Sequence, residues 1–219
     1  MSRHCSYPVL FQAVAFLGLL TPLVLAGCSS GDKKADSGGK ADQQKGSDTS
    51  RQPNDSQSSN AGAMVLTSTA FAEGQPVPPR HTADGEDLSP PLTWSAVPEG
   101  TKELALICDD PDAPGGTWVH WVIYGIPADA KGLPEGVARD ERPPQPAGAV
   151  QGKNTWPDGE NIGYRGPAPP KGGPHRYFFK LYALDVALPE GPGKTKEELL
   201  KAMSGHVIGQ GQLMGTYER

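Results

Sequence analysis

The segment that decides the fold is His175-Arg176-Tyr177-Phe178-Phe179-Lys180-Leu181-Tyr182-Ala183-Leu184-Asp185. It is rich in aromatic and aliphatic residues and follows a Pro/Gly-rich turn, a combination that predicts a β-strand. Side chains two residues apart in a strand share one face of its sheet. One face is therefore predicted to carry two polar residues followed by three apolar ones: His175, Tyr177, Phe179, Leu181 and Ala183.

Four further segments have the composition of strands, and one segment has the pattern of a helix. The strand candidates are Met64–Ser68, Leu92–Trp94, Glu103–Asp109 and Trp118–Ile126. In the helical segment, Thr195–Met203, Thr195 and Glu198 have the spacing of a capping box. Strands separated by Pro/Gly turns, with one late helix, predict a mainly β fold. We expect a two-sheet antiparallel β-sandwich with a short peripheral helix near the carboxyl terminus.

The same period of two places polar residues at the ends of mainly apolar strand faces. Asp110 is predicted to continue the face of Leu104, Leu106 and Cys108. His120 is predicted to lie with Trp118, Val122 and Tyr124. Burial of a polar side chain without a hydrogen-bond partner costs several kcal/mol. One interpretation is therefore that these polar side chains converge on one functional site. Buried polar residues that are scattered through the core, each with its own hydrogen-bond partner, would give the same pattern. The sequence alone leaves both interpretations open.

Residues 1–27 have the features of a bacterial lipoprotein signal peptide. An apolar run from Val9 to Leu25 is broken by Pro22 and ends in small residues before Cys28. The run is too short and too interrupted for a membrane span. We therefore expect cleavage before Cys28, lipidation of that residue, and a location in the bacterial cell envelope, facing the periplasm or the cell surface. Ser29 after the cysteine favours the outer membrane.

Residues 28–62 are predicted to be the lipidated cysteine followed by a disordered polar tether. Ser29–Asn60 contains no aromatic or branched aliphatic residue and has five basic and five acidic residues. Such a segment cannot bury enough apolar surface to offset the entropy of ordering. Residues 63–219 have the length of one domain. Because Cys108 is the one thiol left after processing, this domain is expected to fold without an internal disulfide.

The composition argues against several functional classes. The chain has a formal net charge of -5 and no basic stripe, so a nucleic-acid partner is not expected. His120 and His175 lack the close spacing of metal ligands, and a zinc site usually draws at least three strong ligands. No Ser or Cys lies in a nucleophile-elbow pattern. We therefore expect neither a metal or other cofactor nor an enzyme, although two histidines and two aspartates make a metal hydrolase the catalytic alternative.

Two clusters carry the candidate site. Asp109–Pro114, followed by Trp118–Trp121, forms the first cluster, and Gly163–Tyr177 forms the second. Each cluster joins a rigid turn to a strand that begins with titratable and aromatic residues. Carboxylates, imidazoles and glycine backbone N–H groups are the groups from which a small anion pocket is built.

With their neighbours, these clusters resemble the phosphatidylethanolamine-binding protein family, in its bacterial Raf-kinase-inhibitor-like branch. The motifs, in order, are Ser89–Trp94, Asp110–Pro114, His120-Trp121, Gly166–Pro170, His175–Tyr177 and Gly205–Arg219. The resemblance runs from about Met64 to the carboxyl terminus and implies a two-sheet antiparallel fold with a small anion pocket. Ala168 departs from it, because bacterial relatives often carry cysteine at that position.

By position, the resemblance implies a ligand-binding set: Asp110, Trp118, His120, Gly166, Pro169, Pro170, His175 and Tyr177. Asp112 and Arg176 are expected to support this site as an ion pair. Elsewhere in the chain, His81 is expected to be solvated in a loop and His206 to lie at a helix end.

The implied function is a membrane-anchored module that binds phosphoryl or carboxylate head groups of the phosphoethanolamine type. The expected partners are a small anionic ligand or phospholipid head group, the membrane through the lipid anchor, and, in the alternative below, a protein. The alternative is an exported inhibitor or interaction protein that acts on another enzyme. If His120 and His175 donate to the anion as imidazolium ions, affinity should fall as pH rises through pKa values near 6.5.

Overall fold

The structure, a computed structural model, describes residues 62–219. The predicted signal peptide, the lipidation site at Cys28 and the predicted tether up to residue 61 lie outside the described residues.

Nine strands, one α-helix and one short 3₁₀ helix make up the described part of the chain. The strands are β1 (Gly62–Ala63), β2 (Val65–Thr67), β3 (Leu92–Ser95), β4 (Glu103–Asp110), β5 (Trp118–Pro127), β6 (Gly132–Leu133), β7 (Val150–Gln151), β8 (His175–Leu184) and β9 (Val207–Tyr217). The α-helix is α1 (Lys196–Met203), and the 3₁₀ helix is Pro79–His81.

The strands form two sheets. The larger has six strands in the order β1-β9-β8-β4-β5-β7, and the smaller has three in the order β2-β3-β6. Every pairing is antiparallel except that of β1 with β9. The predicted mainly β fold with two antiparallel sheets and one late helix is therefore confirmed.

The larger hydrophobic core lies between the two sheets, and we call it the inter-sheet core. The three-stranded sheet contributes Leu66 and Trp94, and the six-stranded sheet contributes Leu106, Trp121 and Phe179. All five side chains are buried. Burial of this apolar surface is the main force that holds the sheets together.

A second core lies on the outer face of the six-stranded sheet, and we call it the helix-side core. Leu199 and Met203 of α1 belong to it together with Ala105 and Ile107 of β4 and Val122 of β5. Strand β4 is thus covered on both faces, and all eight of its residues are buried. This double burial explains why its central residues, Leu104–Cys108, are continuously apolar.

The amino end of α1 has the predicted capping box. The backbone N–H of Glu198 donates to the Thr195 hydroxyl at 3.2 Å, and the Thr195 N–H donates to the Glu198 carboxylate at 2.9 Å. These two bonds satisfy donors that a helix cannot pair within itself.

The sequence prediction missed β9, which has 11 residues and is the longest strand of the described chain. Its glycines lower the β-propensity of the segment, but three of them are needed where neighbouring groups approach the strand. A Cβ on Gly209 would lie 2.6 Å from Pro98, and one on Gly211 would lie 2.8 Å from the Met64 carbonyl oxygen. The glycines are therefore present because other groups pack closely against the strand. Composition alone counts the same glycines as evidence against a strand.

Candidate functional site

A cavity of about 330 Å³ lies where β4 ends and where β5 and β8 begin. These ends meet because β4 runs antiparallel to both of its neighbours. The cavity is lined by Asp110, Ala113, Pro114, Trp118, His120, Trp156, Ala168, Pro169, Pro170 and His175. Six of the eight residues in the implied ligand-binding set are brought together here, and Gly166 and Tyr177 are not among the lining residues.

A β-bulge places His120 in this cavity. Cys108 of β4 pairs with Trp121, but the next residue, Asp109, pairs with Val119, so His120 is the extra residue of β5. As a result Val119 belongs to the helix-side core and Trp121 to the inter-sheet core, although they are two residues apart. Bulges next to binding sites commonly re-aim a side chain in this way.

The predicted face of His120 was therefore partly wrong. Val122 and Tyr124 belong to the helix-side core. The His120 ring instead contacts Tyr177 of the inter-sheet core, at 5.1 Å between ring centroids and an interplanar angle of 85°. A strict period of two cannot anticipate the extra residue, because the bulge is visible only against the partner strand.

Asp110 holds the second imidazole in place. The His175 Nδ1 atom lies 2.8 Å from Asp110 Oδ2, and the Asp112 backbone N–H donates to Asp110 Oδ1 at 2.8 Å. Because a carboxylate accepts, the His175 proton on Nδ1 is directed to Asp110, and Nε2 is the free ring nitrogen. Asp110 itself is buried, with both oxygens occupied.

Asp112 and Arg176 form the expected ion pair beside the cavity. The Arg176 guanidinium donates to both Asp112 oxygens, at 2.9 and 2.8 Å, and the Arg176 backbone N–H adds a third bond at 3.0 Å. Hydrogen bonds from Arg176 lower the pKa of Asp112 to about 2. The pair joins the turn after β4 to the start of β8.

His120 is held in one tautomer. Its Nδ1 atom lies 2.6 Å from the Arg165 carbonyl oxygen, which can only accept, so Nδ1 carries the proton. Burial lowers the pKa of His120 to about 4, so the ring is neutral at pH 7. Its free Nε2 atom is then a hydrogen-bond acceptor. This low pKa argues against the version of the mechanism in which His120 donates to an anion as an imidazolium ion.

Two tryptophans form an aromatic wall of the cavity, and sequence reasoning missed one of them. Trp156 packs edge-on against Trp118 at 5.4 Å and against His120 at 5.0 Å between ring centroids. The Trp156 backbone N–H donates to the Asn154 side chain, and the Thr155 hydroxyl accepts from β5. The sequence signal for this turn was Asn154, whose side chain can accept from the backbone N–H two residues later. The contacts of Trp156 with Trp118 and His120 join residues far apart in sequence, so no local pattern predicts them.

The loop that precedes β8 is anchored by Asp87, a second residue that sequence reasoning missed. Asp87 accepts from the Gly166 backbone N–H at 2.6 Å and from the Arg165 guanidinium at 3.2 Å. The Gly166 N–H is therefore already used and does not serve the cavity. Its glycine is required because a Cβ would lie 2.5 Å from the His81 carbonyl oxygen. His81 is buried, with Nδ1 3.0 Å from the Leu88 carbonyl oxygen, so the expectation of a solvated loop residue was wrong.

Tyr177 lies behind the cavity lining. It is fully buried, and its hydroxyl has no hydrogen-bond partner among the described residues. Burial, followed by the charge of Asp110, raises its pKa. Ala168 is the one residue of Pro167–Pro170 with a backbone N–H, and it lines the cavity.

The electrostatic character of the cavity differs from that of a basic anion site. None of its lining residues, all within residues 62–219, is a lysine or arginine. The same part of the chain contains no group of three or more His, Cys, Asp or Glu residues arranged to hold a metal ion. It also contains no helix of the length and apolarity that a membrane span requires.

His206 lies in the turn between α1 and β9, as expected for a helix-end residue. Its backbone N–H donates to the Met203 carbonyl oxygen at 3.0 Å, and its exposed ring lies 3.0 Å from Asp185. It is remote in sequence from the residues that line the cavity.

Comparisons with known proteins agree with this architecture. A family model described as phosphatidylethanolamine-binding protein matches residues 67–218. A UPF0098 protein of Methanothermobacter thermautotrophicus is 53% identical over 156 residues, which cover 71% of this chain and 99% of that protein.

Two solved structures have the same fold. One is a putative phosphatidylethanolamine-binding protein homologue, CT736 of Chlamydia trachomatis, with 45% identity, a TM-score of 0.63 and coverage of 74% of this chain and 99% of that chain. The other is YbcL of Escherichia coli, described as a member of the mammalian PEBP family, with 35% identity, a TM-score of 0.65 and coverage of 71% and 98%. The chain therefore belongs to the phosphatidylethanolamine-binding protein family.

Proposed function

We propose that this chain is a binding module whose cavity takes a small head group with phosphoryl or carboxyl oxygens, of the phosphoethanolamine type. One observation carries the proposal. His120 and His175 are both anchored through Nδ1, to Arg165 and Asp110 respectively, and both line one cavity with a free Nε2 atom. Two fixed imidazoles beside a buried carboxylate suit a small polar group better than an apolar ligand.

The donors and acceptors of the cavity narrow the ligand further. Ala168, Trp118 and Trp156 line the cavity, and a backbone N–H and two indole N–H groups are the neutral donors that these residues can offer to anionic oxygens. His120 Nε2 requires a donor. Because no basic side chain lines the cavity, a ligand that brings its own proton complements it best. A phosphate monoester in its monoanionic form, or one that also carries an ammonium group, satisfies this requirement.

We propose that the protein is not a catalyst. The residues that line the cavity include no serine, threonine, cysteine or lysine that could attack a substrate. The one thiol of the described domain, Cys108, is buried, and burial raises its pKa well above the ordinary value. The His175–Asp110 pair has the geometry of a general base, but the lining residues include no side-chain hydroxyl or thiol for it to activate.

We also propose that the module is anchored in the bacterial cell envelope by a lipid on Cys28. The support is the sequence pattern of residues 1–28, an apolar run that ends in Leu25-Ala26-Gly27 before the cysteine. Labelled palmitate should enter the wild-type chain and should not enter Cys28→Ser. Equal labelling of both chains would refute the anchor and leave the binding proposal intact.

The binding proposal is tested by calorimetric titration of the full-length chain with phosphate, phosphoethanolamine and ethanolamine. Wild type should bind the two phosphoryl compounds, and the double variant His120→Ala, His175→Ala should lose both. His206→Ala is the matched control, because His206 is an exposed histidine that does not line the cavity. Absence of binding by a folded wild-type chain would refute the proposal and favour the inhibitor alternative. Ethanolamine binding as tight as that of phosphoethanolamine would show that the phosphoryl group is not recognised.

A further inference from the structure

The aromatic wall of the cavity is a feature that recognition of phosphoryl oxygens does not explain. Trp118 and Trp156 both line the cavity, and Trp118 is 37% exposed, so a ligand can reach the wall from solvent. The two ring planes meet at 83° with 5.4 Å between centroids, so they form two sides of a corner. An indole ring has its N–H at the edge and negative partial charge on its faces. Donation to an anionic oxygen through the N–H therefore leaves the faces free for a cation.

The charges of the other lining residues do not repel a cation. Among residues 62–219, those that line the cavity include no lysine or arginine. His120 packs against Trp156, and it is neutral at pH 7 because burial lowers its pKa to about 4. Asp110 lies in the same lining and contributes a carboxylate. A positive group beside the indole rings is therefore favoured by the local charges.

The acceptors of the cavity indicate which kind of cation fits. A primary ammonium group has three N–H donors, each of which needs an acceptor when it leaves water. The Asp110 side chain is only 4% exposed, and its oxygens already have partners in His175 and the Asp112 backbone N–H.

Apart from Asp110 and the two histidines, the lining residues have no side-chain acceptor: Ala113, Pro114, Trp118, Trp156, Ala168, Pro169 and Pro170. A quaternary ammonium group has no N–H and is recognised by aromatic faces. The apolar and aromatic lining therefore suits a quaternary ammonium group better than a primary one.

We propose that Trp118 and Trp156 form a subsite for a quaternary ammonium group, and that the cavity prefers a phosphomonoester of the choline type. The inference rests on the proposed function, because the phosphoryl group lies in the same cavity. Since a trimethylammonium group has no N–H, the donor that His120 Nε2 requires is the phosphoryl O–H. A monoester has this hydroxyl in its monoanionic form, and the phosphodiester of a lipid head group lacks it. The cavity of about 330 Å³ is large enough for a ligand of this size.

The test is calorimetric titration of the full-length chain at about pH 6, where a phosphomonoester is partly monoanionic. The ligands are phosphocholine, phosphoethanolamine and 3,3-dimethylbutyl phosphate, in which a carbon atom replaces the nitrogen of phosphocholine. Wild type should bind phosphocholine at least about threefold more tightly than either of the others. Glycerophosphocholine, which is a diester, should bind more weakly than phosphocholine.

Matched variants separate the aromatic face from the indole N–H. Trp156→Phe keeps an aromatic face without the N–H, and Trp156→Leu has neither. The preference for phosphocholine over 3,3-dimethylbutyl phosphate should be lost in Trp156→Leu and partly retained in Trp156→Phe. A ratio of affinities within one chain is not changed by a general loss of phosphoryl binding. Trp118→Leu replaces a ring that is 37% exposed, and it should also reduce the preference if Trp156→Leu does not fold.

Several results would overturn the proposal. Equal affinities of wild type for phosphocholine and 3,3-dimethylbutyl phosphate would show that shape, and not charge, is recognised. Phosphoethanolamine bound as tightly as phosphocholine would exclude a quaternary subsite, and equally tight glycerophosphocholine would exclude the monoester requirement. An unchanged preference in the folded leucine variants, or a phenylalanine variant no better than the leucine variant, would remove the aromatic faces as its cause.

Inorganic phosphate separates this proposal from the proposed function. If wild type binds inorganic phosphate but shows no preference among the organic monoesters, the aromatic subsite is refuted and the phosphoryl site is retained. If wild type binds none of the phosphoryl compounds, both proposals are refuted.

Discussion

The buried neutral state of His120 makes a specific prediction about stability as a function of pH. The ring has a pKa of about 4 in the folded chain because it is buried, and an ordinary histidine pKa in the unfolded chain is about 6.5. Between these values the unfolded state binds the proton and the folded state does not. The free energy of unfolding must therefore fall as pH falls from about 6.5 towards about 4, and this contribution is fully present only above that window.

The magnitude follows from the same two pKa values. One proton taken up on unfolding changes the free energy of unfolding by about 1.4 kcal/mol per pH unit, or about 3 kcal/mol across the whole window. Asp112 has a pKa of about 2, so its loss of stability on acidification begins at lower pH. Glu103 has the opposite sign, because its raised pKa makes the folded state gain the proton first. The contributions of Asp112 and Glu103 are the same in two chains that differ only at His120, so they cancel when the two chains are compared.

The matched variant is His120→Asn, in which the amide N–H can still donate to the Arg165 carbonyl oxygen but cannot titrate. Urea unfolding of both chains between about pH 7.5 and about pH 4.5 isolates the histidine. We expect the variant to be the less stable chain at pH 7.5 and its deficit to shrink by about 2 to 3 kcal/mol at the acidic end. Parallel stability curves would refute the reasoning. They would show that His120 takes up its proton at the same pH in the folded and the unfolded chain, so that burial does not keep the ring neutral below about pH 6.5.

Two further predictions concern the frame of the fold. Gly215→Ala should destabilise the chain by about 1 to 3 kcal/mol, because the new Cβ would lie 2.6 Å from Val77 and 2.8 Å from Phe71, whereas an alanine at Gly115 meets no atom within 4 Å. Equal unfolding midpoints in urea for these two alanine variants would contradict this packing argument. Thr195→Ala should cost about 1 kcal/mol by removing the capping box of α1, and Thr195→Ser should retain most of it. A serine variant as unstable as the alanine variant in thermal unfolding would show that the hydroxyl is not the stabilising group.

The local sequence pattern was sufficient to predict those strands and the helix whose own residues determine their structure. The alternation of β8 places Tyr177, Phe179 and Leu181 in the inter-sheet core, as predicted. The prediction failed at His120, because the register shift of β5 depends on which residue of β4 lies opposite. A pattern in one strand contains no information about an extra residue relative to another strand.

The remaining omissions have a different physical cause. The glycines of β9 are explained by contacts with distant groups such as Met64 and Pro98, which no window along the strand includes. Trp156 and Asp87 reach the candidate site from separate loops, and their side chains matter only because folding brings those loops to the strand ends. The resemblance to a known family could indicate the pocket residues, because the motifs of a family come from proteins in which folding brings these separate segments together. It did not anticipate, however, that the Gly166 N–H is used by Asp87.

The three acidic residues of β4 separate structural charge from charge that is available to a ligand. A strand buried on both faces normally excludes carboxylates, because each requires partners that offset the loss of water. Asp109 is buried and accepts from two lysines, which is the arrangement of a structural ion cluster. Both oxygens of Asp110 also have partners, but Asp110 lines the first cavity, and one of its partners is the ring of His175, which lines the same cavity. Glu103 borders a second cavity, but its Oε1 atom is buried and has no hydrogen-bond partner among residues 62–219. If the cost of burial is the criterion, removing Glu103 should be the least harmful of the three to folding, because its Oε1 atom has no partner that the substitution would leave unpaired.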